Sequence, residues 1–333
     1  MSETQQHSGC CGGTARTQSN ARSQPKSVAP QTLAPQAASA DLRAQITQGM
    51  RAIPGGLFEM GTDHGRYPAD LDGPARQVRV SPFVIGAQAV TNDLFAQFVA
   101  ETGYVTVAER EGWSFVFHTF APGQGKGLRG PLEAPWWRAV PGADWRHPDG
   151  PKSDIAARGD HPVTHVSWDD AVAFCTHTAT RLPSEAEWEC AARGGLDRAR
   201  FPWGDEMLPE GAHRHNVWQG HFPGENTALD GYIGTAPANA FAPNGYGLFN
   251  MTGNTWEWCA DWFGPLPHAQ MPPLRDPKGA ASGPGRVMRG GSHLCHASYC
   301  ERYFVHSRTH NTPDSSSGHI GFRVAANEGF LHD

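Results

Sequence analysis

The sequence predicts an α+β fold, with one domain that contains a small sheet, a few short helices and much ordered loop. Three observations lead to this prediction. The chain has 39 glycines and 27 prolines among 333 residues, well above the usual share of roughly 12 %, so turns must be frequent. Eleven tryptophans can build a large core without long helices. Periodic segments are short and no internal repeat occurs, which argues against helical bundles and solenoids.

The N-terminal segment differs in composition from the rest. Residues 1–45 are rich in Ser, Gln, Thr, Ala, Pro and Gly and poor in aliphatic side chains. Such a segment cannot bury enough apolar area to offset the entropy lost on ordering. We therefore expect residues 1–45 to form a disordered tail and residues 46–333 to form the folded domain. Cys10 and Cys11 are expected to be exposed thiols of this tail, and metal binding by them is left open.

Strands are expected from Met50 onwards. A Pro-Gly-Gly turn at residues 54–56 precedes an alternating segment that ends at Gly61, which is typical of a strand after a tight turn. Further strands are predicted at residues 77–80 and 83–86.

Three helices carry capping signals. Thr91 can cap a helix that runs to about Thr102 and has one apolar face. Ser167 can cap a second helix, and Ser184 with Glu187 forms the capping box of a third. The third helix ends at a Gly-Gly pair, a common C-terminal signal. The chain that follows is turn-rich, and no long helix is predicted there.

Charge and hydropathy exclude several classes of protein. A formal net charge of −6 with 18 % charged residues fits poorly with general nucleic-acid binding, which needs a basic surface. No segment approaches the roughly 20 apolar residues of a membrane span, and the first residues lack the apolar region of a secretory signal. We therefore expect a cytoplasmic monomer that binds neither nucleic acid nor membrane.

Cysteine usage also fits a reducing compartment. The number of cysteines is odd and their spacing is wide, so they do not suggest a disulfide framework. They occur at positions 10, 11, 175, 190, 259, 295 and 300. Any cysteine with a functional role is expected to be a metal ligand or a nucleophile.

Cys295 and Cys300 lie five positions apart. A disulfide, half of a zinc site or two unrelated core thiols would each produce this spacing. Two thiolates without a second cysteine pair suit a soft ion of low coordination number such as Cu(I), whereas zinc needs two more ligands. Composition leaves zinc open, because histidines occur nearby at positions 293, 296, 306, 310 and 319.

Two segments have the composition of loops that bind hard cations. The first has Asn216 and Val217 followed by Asp230 and Tyr232, and the second spans residues 250–257. Calcium takes six to eight oxygen ligands, several of them from backbone carbonyls. The same residue types are common in ordinary turns, so spacing alone leaves both interpretations open.

Longer motifs carry a resemblance to a known family. They are Arg-Val-Met-Arg-Gly-Gly-Ser (286–292), the Cys295/Cys300 pair with Tyr299, Asn-Thr-Pro-Asp-Ser-Ser (311–316), Gly-Phe-Arg (321–323), Arg-Leu-Pro-Ser-Glu-Ala-Glu-Trp-Glu (181–189), Phe-Pro-Trp-Gly (201–204) and Asn-Gly-Tyr-Gly-Leu (244–248). From about residue 50 to 326 the chain closely resembles the formylglycine-generating enzymes. The Gly-Phe-Arg ending and the Arg-Leu-Pro helix are shared by the wider sulfatase-modifying superfamily. The Cys-x4-Cys segment followed by Asn-Thr-Pro-Asp-Ser separates formylglycine generators from their relatives.

The resemblance implies both a fold and a reaction. The implied fold is a variant of the C-type-lectin-like domain with little regular secondary structure. The implied activity is that of an oxidase that binds an unfolded sulfatase segment with a Cys-x-Pro-x-Arg motif. It would convert the cysteine to Cα-formylglycine with O2 and a thiol reductant. The implied cofactors are Cu(I) at the reacting site and structural Ca2+.

The resemblance also implies roles for individual residues. The catalytic set is Cys295, Cys300, Ser292 and Tyr299, of which the two cysteines match the pair that holds copper. Trp256 matches an aromatic residue beside the site and, with Asn311, is assigned to substrate binding. The calcium ligands carry over onto two sets, Asn216, Val217, Asp230 and Tyr232, and Asn250, Gly253, Thr255 and Glu257.

The chain departs from the family in two respects. Secretory animal members carry two structural disulfides, and the matching positions here include Ala192, Val305 and Val324, which leaves Cys175 without a partner. Neither bridge can form, in agreement with a reducing compartment. His306 and His310 also differ from the family pattern and are expected to line or flank the substrate groove.

Two other functions fit the superfamily. A non-haem iron sulfoxide synthase would need a histidine-rich iron site, usually with an added helical bundle, and the sequence shows no such bundle. A non-catalytic lectin-like binding module would contact its ligand through loops and would have no need of the cysteine pair. A copper assay on a synthetic peptide distinguishes the three functions.

Overall fold

The computed structural model describes residue 31, residues 37–266 and residues 272–332. Its helices are α1 (Ala40–Gly49), α2 (Asn92–Thr102), α3 (Val107–Glu111), α4 (Trp168–His177) and α5 (Glu185–Arg193). Its strands are β1 (Met50–Ile53), β2 (Gly56–Met60), β3 (Arg76–Val80), β4 (Phe83–Gly86), β5 (Trp113–Phe117), β6 (Trp137–Pro141), β7 (Gly220–His221), β8 (Glu225–Asn226), β9 (Trp256–Trp262), β10 (Leu274–Arg275), β11 (Arg286–Arg289), β12 (Arg308–Asn311), β13 (Ile320–Gly321) and β14 (Ala325–Asn327). The predicted α+β class with little regular secondary structure is confirmed.

Two ends of the described chain meet in one antiparallel sheet. Strand β4 is central in this sheet, with β1 on one side and β14 on the other. All four residues of β4 are buried. A second sheet pairs β3 with β2 and β10.

The sheet that supports the candidate site has the strand order β12-β11-β9-β13. Strand β9 is antiparallel to β11 and parallel to β13. Trp256, Trp258 and Cys259 of β9 are fully buried. The chain leaves β11 directly into the loop that contains the cysteine pair, so the core anchors one end of that loop.

The three predicted helices are confirmed with their caps. Thr91 accepts a hydrogen bond from the third amide of α2. Ser167 and Ser184 each form a complete capping box, at the start of α4 and α5 respectively. Helix α5 ends at Gly194 in the left-handed conformation. Local hydrogen bonding therefore sets these boundaries, as expected from the sequence.

Helix α1 was not predicted, and it moves the start of the folded domain. Ser39 caps this helix, and Leu42 and Ile46 are buried against the core. The predicted boundary between residues 45 and 46 therefore falls inside a packed helix. The polar composition concealed it, because two apolar side chains suffice to dock it. The rest of the predicted tail, with Cys10 and Cys11, lies outside the described residues apart from residue 31 and residues 37–39.

A hairpin formed by β5 and β6 is a second unpredicted element. Its register pairs Phe117 with Trp137. The apolar run of β5 lacks the alternation that marks a half-buried strand, since four of its five residues are buried. This hairpin supplies two aromatic side chains to the candidate site.

Buried ion pairs join α5 to the sheet that supports the site. Glu185 accepts hydrogen bonds from Arg289 at 2.9 Å and from Arg308 at 2.6 Å. Glu189 accepts from Arg193 and Arg289, both at 2.6 Å. Burial alone would raise the pKa of Glu189, but the two arginines outweigh it and lower the pKa to about 2. The carboxylate therefore stays charged in the core.

Within the described part of the chain, no helix combines the length and apolarity needed to span a bilayer.

Candidate active site

Cys295 and Cys300 lie in the loop that follows β11. The loop opens with Gly290 and Gly291 at φ of 95° and 76°, where a side chain is strained. A Cβ on Gly291 would also lie 2.7 Å from the carbonyl oxygen of Arg302. The two Sγ atoms are 3.3 Å apart, and each cysteine is 1 % exposed. These are two reduced thiols in contact, because a disulfide bond is only about 2.05 Å long.

The two sulfur atoms face different donors. The backbone N–H of Ser292 donates to Cys295 Sγ over 3.3 Å, and Ser292 Oγ lies 4.0 Å from the same sulfur. Arg302 Nη1 lies 3.9 Å from Cys300 Sγ. A neutral amide therefore faces one thiol and a cation faces the other.

Arg302 is held by the segment that precedes β3. Its Nε and Nη2 donate to Asp70 Oδ2 at 2.6 Å and Oδ1 at 2.9 Å. Its Cζ lies 4.0 Å from the centre of the Tyr67 ring. Burial raises the pKa of Asp70, although the hydrogen bonds and charge of Arg302 oppose the shift.

A narrow aromatic pocket, with a cavity volume of about 10 Å³, opens onto the thiols. Its lining residues are Phe117, Trp136, Trp137, Phe222, Trp256, Ser292, Leu294, Cys295, Tyr299, Cys300 and His319. The pocket therefore brings together five of the six residues predicted to be catalytic or substrate-binding, all except Asn311.

Three half-buried aromatic side chains form one wall of this pocket. The rings of Tyr299 and Phe222 are stacked, with centroids 4.4 Å apart and planes 7° apart. Trp136 meets Tyr299 edge-on at 4.5 Å, and its Nε1 donates to the Tyr299 hydroxyl at 3.2 Å. The family motifs predicted Tyr299, whereas its two neighbours were missed because their loops lie far away along the chain.

Trp256 and His319 form the inner wall. Trp256 is fully buried, and its indole Nε1 has no hydrogen-bond partner among the described residues. His319 packs against Trp137 with centroids 4.4 Å apart, and its Nδ1 hydrogen-bonds Ser317 Oγ at 2.7 Å. Burial, with neighbouring histidines, holds the pKa of His319 well below its usual value. A neutral imidazole therefore borders the thiol pocket.

A second, larger cleft adjoins the aromatic pocket. It has a cavity volume of about 200 Å³ and shares Phe117, Trp137 and Leu294 with the aromatic pocket. Its wall includes His293, for which burial lowers the pKa to about 4. The two cavities share this wall, and together we call them the hollow beside the cysteine pair.

Asn311 lies away from this hollow. It ends β12, where it pairs with Arg286 at the end of β11 remote from the Gly290 turn. Its Oδ1 accepts from the Thr312 amide at 2.9 Å. The antiparallel register thus separates Asn311 from the thiols, and its assignment to substrate binding stays a prediction.

The first predicted calcium set is brought together. Asp230 Oδ2 accepts from the Val217 amide at 3.0 Å, and Oδ1 accepts from the Tyr232 amide at 3.0 Å. Gln219 Nε2 donates both to Val217 O and to Asp230 Oδ2. Asn216 packs beside them, and its Nδ2 donates to a carbonyl at 2.8 Å. The carbonyl of Val217 and Oδ2 of Asp230 therefore face one position, which the amide nitrogen of Gln219 occupies, and their role as calcium ligands stays a prediction.

The second predicted calcium set is brought together only in part. Asn250 Oδ1 is buried, with no hydrogen-bond partner in the described chain, which suits a metal ligand. Glu257, however, lies in β9, and its carboxylate accepts from Arg323 at 2.6 and 2.7 Å and from Trp188 at 2.7 Å. Both carboxylate oxygens of Glu257 are therefore engaged in a buried ion pair, and its role as a calcium ligand stays a prediction.

The remaining residues of this set frame the loop. Gly253 has a φ of 77°, and a Cβ there would lie 2.5 Å from Asn216 O. Thr255 is buried directly before β9. The two predicted calcium loops therefore pack against each other.

The two histidines that depart from the family pattern lie apart. His306 Nδ1 is 3.0 Å from Asp72 Oδ2 and lines a charged cleft beside Tyr67. His310 stacks on Phe263 at 4.2 Å, and burial lowers the pKa of His310. Neither residue lines the aromatic pocket, and the expectation that they line or flank the substrate groove stays a prediction.

The positions that match the family's disulfides are packed as core. Cys175 is a buried free thiol. Ala192, Val305 and Val324 are buried apolar side chains. The structure therefore agrees with the expectation that neither bridge forms.

The donor set at the thiols consists of two sulfurs. In residues 37–266 and 272–332, no three His, Cys, Asp or Glu side chains converge in a group suited to one metal ion. A zinc site built from the nearby histidines would need such a group. Two soft donors in a dry, aromatic pocket fit a monovalent ion of low coordination number better.

The chain is similar to known proteins over most of its length. Residues 36–328 match the model of the sulfatase-modifying factor enzyme 1-like domain. A formylglycine-generating enzyme of Thermomonospora curvata is 60 % identical over 286 residues, which cover 85 % of this chain and 94 % of the relative.

Two further similarities define the limits of that finding. A mouse (Mus musculus) protein named inactive C-alpha-formylglycine-generating enzyme 2 is 45 % identical over 283 residues, covering 83 % of this chain and 85 % of the relative. The solved structure of PvdO from Pseudomonas aeruginosa matches with a TM-score of 0.60 at 24 % identity, over 84 % of this chain and 94 % of that chain. The second likeness concerns the fold alone.

Proposed function

This chain belongs to the sulfatase-modifying factor enzyme family, and from that membership we infer that it is a formylglycine-generating enzyme. Such an enzyme oxidises a cysteine side chain of a sulfatase to the aldehyde of Cα-formylglycine. The identity of 60 % over almost the whole of an enzyme with this name is the sequence support.

One observation carries the inference from family to activity. The family contains a relative named as inactive. The activity of this chain is therefore inferred from the residues of its site as well as from family membership. Here two thiols lie 3.3 Å apart at the base of an aromatic pocket. A purely binding module would have no need of this arrangement.

We propose that the substrate segment is unfolded and carries a Cys-x-Pro-x-Arg motif. The burial of both thiols supports this, since each is 1 % exposed and only a side chain that enters the pocket can reach them. A cysteine in a folded sulfatase would be held back by its own neighbours. O2 and an external thiol reductant complete the proposed reaction, which removes hydrogen from Cβ and replaces sulfur by oxygen.

We propose that Cys295 and Cys300 hold Cu(I). Two soft sulfur donors 3.3 Å apart suit this ion. When bound, copper would supply the O2 chemistry that side chains cannot perform. The protein's own contribution is positional: Ser292 N–H orients one sulfur, and the aromatic wall around Tyr299 excludes water from the thiols.

We propose Ca2+ as a structural ion at the first calcium loop, with Asp230 and Val217 O as ligands. A second ion would use Asn250 Oδ1, which is buried and has no hydrogen-bond partner among the described residues. Both positions lie in loops that pack together, so calcium would stabilise the fold and take no part in the reaction.

The iron-dependent alternative has no comparable support. The helices of the described chain are at most 11 residues long, so they do not form the bundle that such enzymes usually add. The described residues also lack a three-ligand group for iron.

Single-turnover mass spectrometry on a Leu-Cys-Thr-Pro-Ser-Arg peptide tests the proposed function. We expect conversion of the cysteine to formylglycine by the Cu(I)-loaded protein in air with a thiol reductant, and none with zinc. An unchanged peptide in the copper arm would contradict the activity. Equal conversion with zinc would contradict only the redox role of the metal.

A further inference from the structure

The three donor nitrogens of Arg302 are divided between two partners. Nε and Nη2 form a two-point ion pair with Asp70, and Nη1 points toward Cys300 Sγ at 3.9 Å. The guanidinium is 1 % exposed, and the Tyr67 ring covers its face at 4.0 Å. This side chain cannot turn away from the sulfur without breaking the ion pair, because its donors form a rigid plane.

The charge of the copper-loaded cysteine pair explains why a guanidinium beside Cys300 would be favourable. Two thiolates that hold one monovalent cation carry a net charge of minus one. A buried anion is costly unless cationic or N–H donors surround it. Cys295 receives a neutral N–H from Ser292, whereas Cys300 faces a guanidinium.

Asp70 determines which nitrogen of the Arg302 guanidinium faces the sulfur. Its carboxylate takes the two nitrogens of Arg302 that do not face the sulfur, so it lies on the far side of the guanidinium. Tyr67 also accepts a hydrogen bond from the Glu301 amide at 3.4 Å, which docks the segment onto the residue after Cys300. Asp70 and Arg302 are 232 positions apart, so this arrangement exists only in the folded chain.

We propose that Arg302 is a positioning residue that stabilises Cys300 as the charged ligand of Cu(I), with Asp70 and Tyr67 holding it in place. This inference rests on the proposed copper site. It also makes the two ligands unequal, because the guanidinium stabilises Cys300 more than the amide stabilises Cys295.

Two substitutions that break the same ion pair separate this role from a structural one. Arg302→Met removes the cation and Asp70→Asn removes its counter-charge. Both should lower the melting temperature, because each leaves a buried partner unpaired. Affinity for Cu(I), measured by competition with a chromophoric chelator, should be at least about tenfold weaker in Arg302→Met and equal or tighter in Asp70→Asn. In Asp70→Asn the amide oxygen can still accept from Arg302 and the Tyr67 ring still covers the guanidinium, so the cation stays in place while its competing counter-charge is gone.

Further variants keep the test decisive. Arg302→Lys retains the charge but lacks the planar donors that bind Asp70 and face Cys300 together, so it should recover only part of the affinity lost in Arg302→Met. The double variant Asp70→Asn with Arg302→Met leaves no unpaired charge, so it should fold and still bind Cu(I) weakly. Arg308→Met is the matched control, because Arg308 binds Glu185 and the Leu71 carbonyl of the same segment without touching a sulfur.

The outcomes are distinct. Equal Cu(I) affinity in the wild type and in Arg302→Met, or in the double variant, would overturn the inference, as would equal weakening by Asp70→Asn. Weakening by Arg308→Met to the same degree would show a structural effect and would also overturn it. Failure of the wild type to bind Cu(I) would overturn the copper proposal, and the role of Arg302 would fall with it.

Discussion

Cys295 and Cys300 meet at the base of a narrow pocket lined mainly by aromatic side chains. The thiols are reached through aromatic walls rather than from solvent. At the scale of single residues, this burial controls which cysteine can react. It also keeps other thiols of the chain out of the site, since Cys175 and Cys259 are buried elsewhere in the core.

Replacing either cysteine of the pair by serine tests its chemical role. We expect Cys295→Ser and Cys300→Ser to fold, because serine is slightly smaller than cysteine and fits the same space. Turnover of the peptide should fall by at least about a hundredfold, since loss of a partner outside the ligand shell already costs about 10–100-fold. Peptide turnover and circular dichroism are the measurements, with Cys175→Ser as the control. Full activity in either variant would exclude a two-sulfur site.

At the scale of elements, the turn between β11 and the cysteine loop decides whether the thiols meet. Its second glycine has no room for a side chain, because the carbonyl of residue 302 would lie 2.7 Å from a Cβ. Helices α2 and α3 also end in left-handed glycines, but a Cβ there would touch nothing. A side chain at positive φ would therefore clash with the backbone at Gly291, but not at Gly103 or Gly112.

Gly291→Ala and Gly103→Ala make a matched pair for this turn. Both place alanine at a positive φ, which costs about 1–2 kcal/mol, so both should lower stability. Only Gly291→Ala should also displace the loop, and we expect it to lose most Cu(I) binding and peptide turnover. Thermal unfolding and chelator competition are the measurements. Equal Cu(I) affinity in the two variants would show that the turn does not position the thiols.

The ion pairs between α5 and the sheet predict a pH dependence of stability. The pKa of Glu189 is lowered to about 2 in the folded state, against an ordinary value of 4.5. Between these values the unfolded chain binds more protons, so the stability present above the ordinary pKa is lost as the pH falls toward the folded one. From this residue the loss is on the order of 3 kcal/mol.

Urea unfolding of the wild type and of Glu189→Gln from about pH 6 to about pH 2.5 measures this contribution. Glu189→Gln should be less stable at the upper end of this range by about 3–5 kcal/mol, because it leaves buried arginine charge uncompensated. Its loss of stability toward acid should be shallower than that of the wild type. Parallel curves for the two proteins would place the acid sensitivity elsewhere.

At the scale of the whole molecule, calcium would hold together loops that the small sheets do not reach. Removal of Ca2+ by a chelator should lower the melting temperature without changing the single-turnover rate well below it. At a calcium concentration about 100-fold above its dissociation constant the loss is about 2.7 kcal/mol. This corresponds to roughly 4 °C for a chain of this size.

Asp230→Asn should reduce this response, whereas the exposed Asp154→Asn should retain it. Calorimetry with and without chelator is the measurement. An identical melting temperature for the wild type in excess calcium and in excess chelator would contradict the calcium proposal.

The sequence by itself determined those features whose causes are local. The capped helices from Thr91, Ser167 and Ser184 begin where predicted, because a cap is a hydrogen bond between neighbours in the chain. The cysteine pair lies within six consecutive residues, so the family motifs are enough to identify it. Helix α1 and the β5–β6 hairpin were missed because their own patterns are weak and packing stabilises them.

Only the tertiary structure decided which distant groups meet. It joined Asp70 to Arg302 and Glu257 to Arg323, pairs that are 232 and 66 positions apart, and it left Asn311 outside the pocket. It also placed Trp136 and Phe222 against Tyr299. The physical reason is that local signals act over about one turn of chain, whereas these contacts form only when burial of apolar surface brings remote loops together.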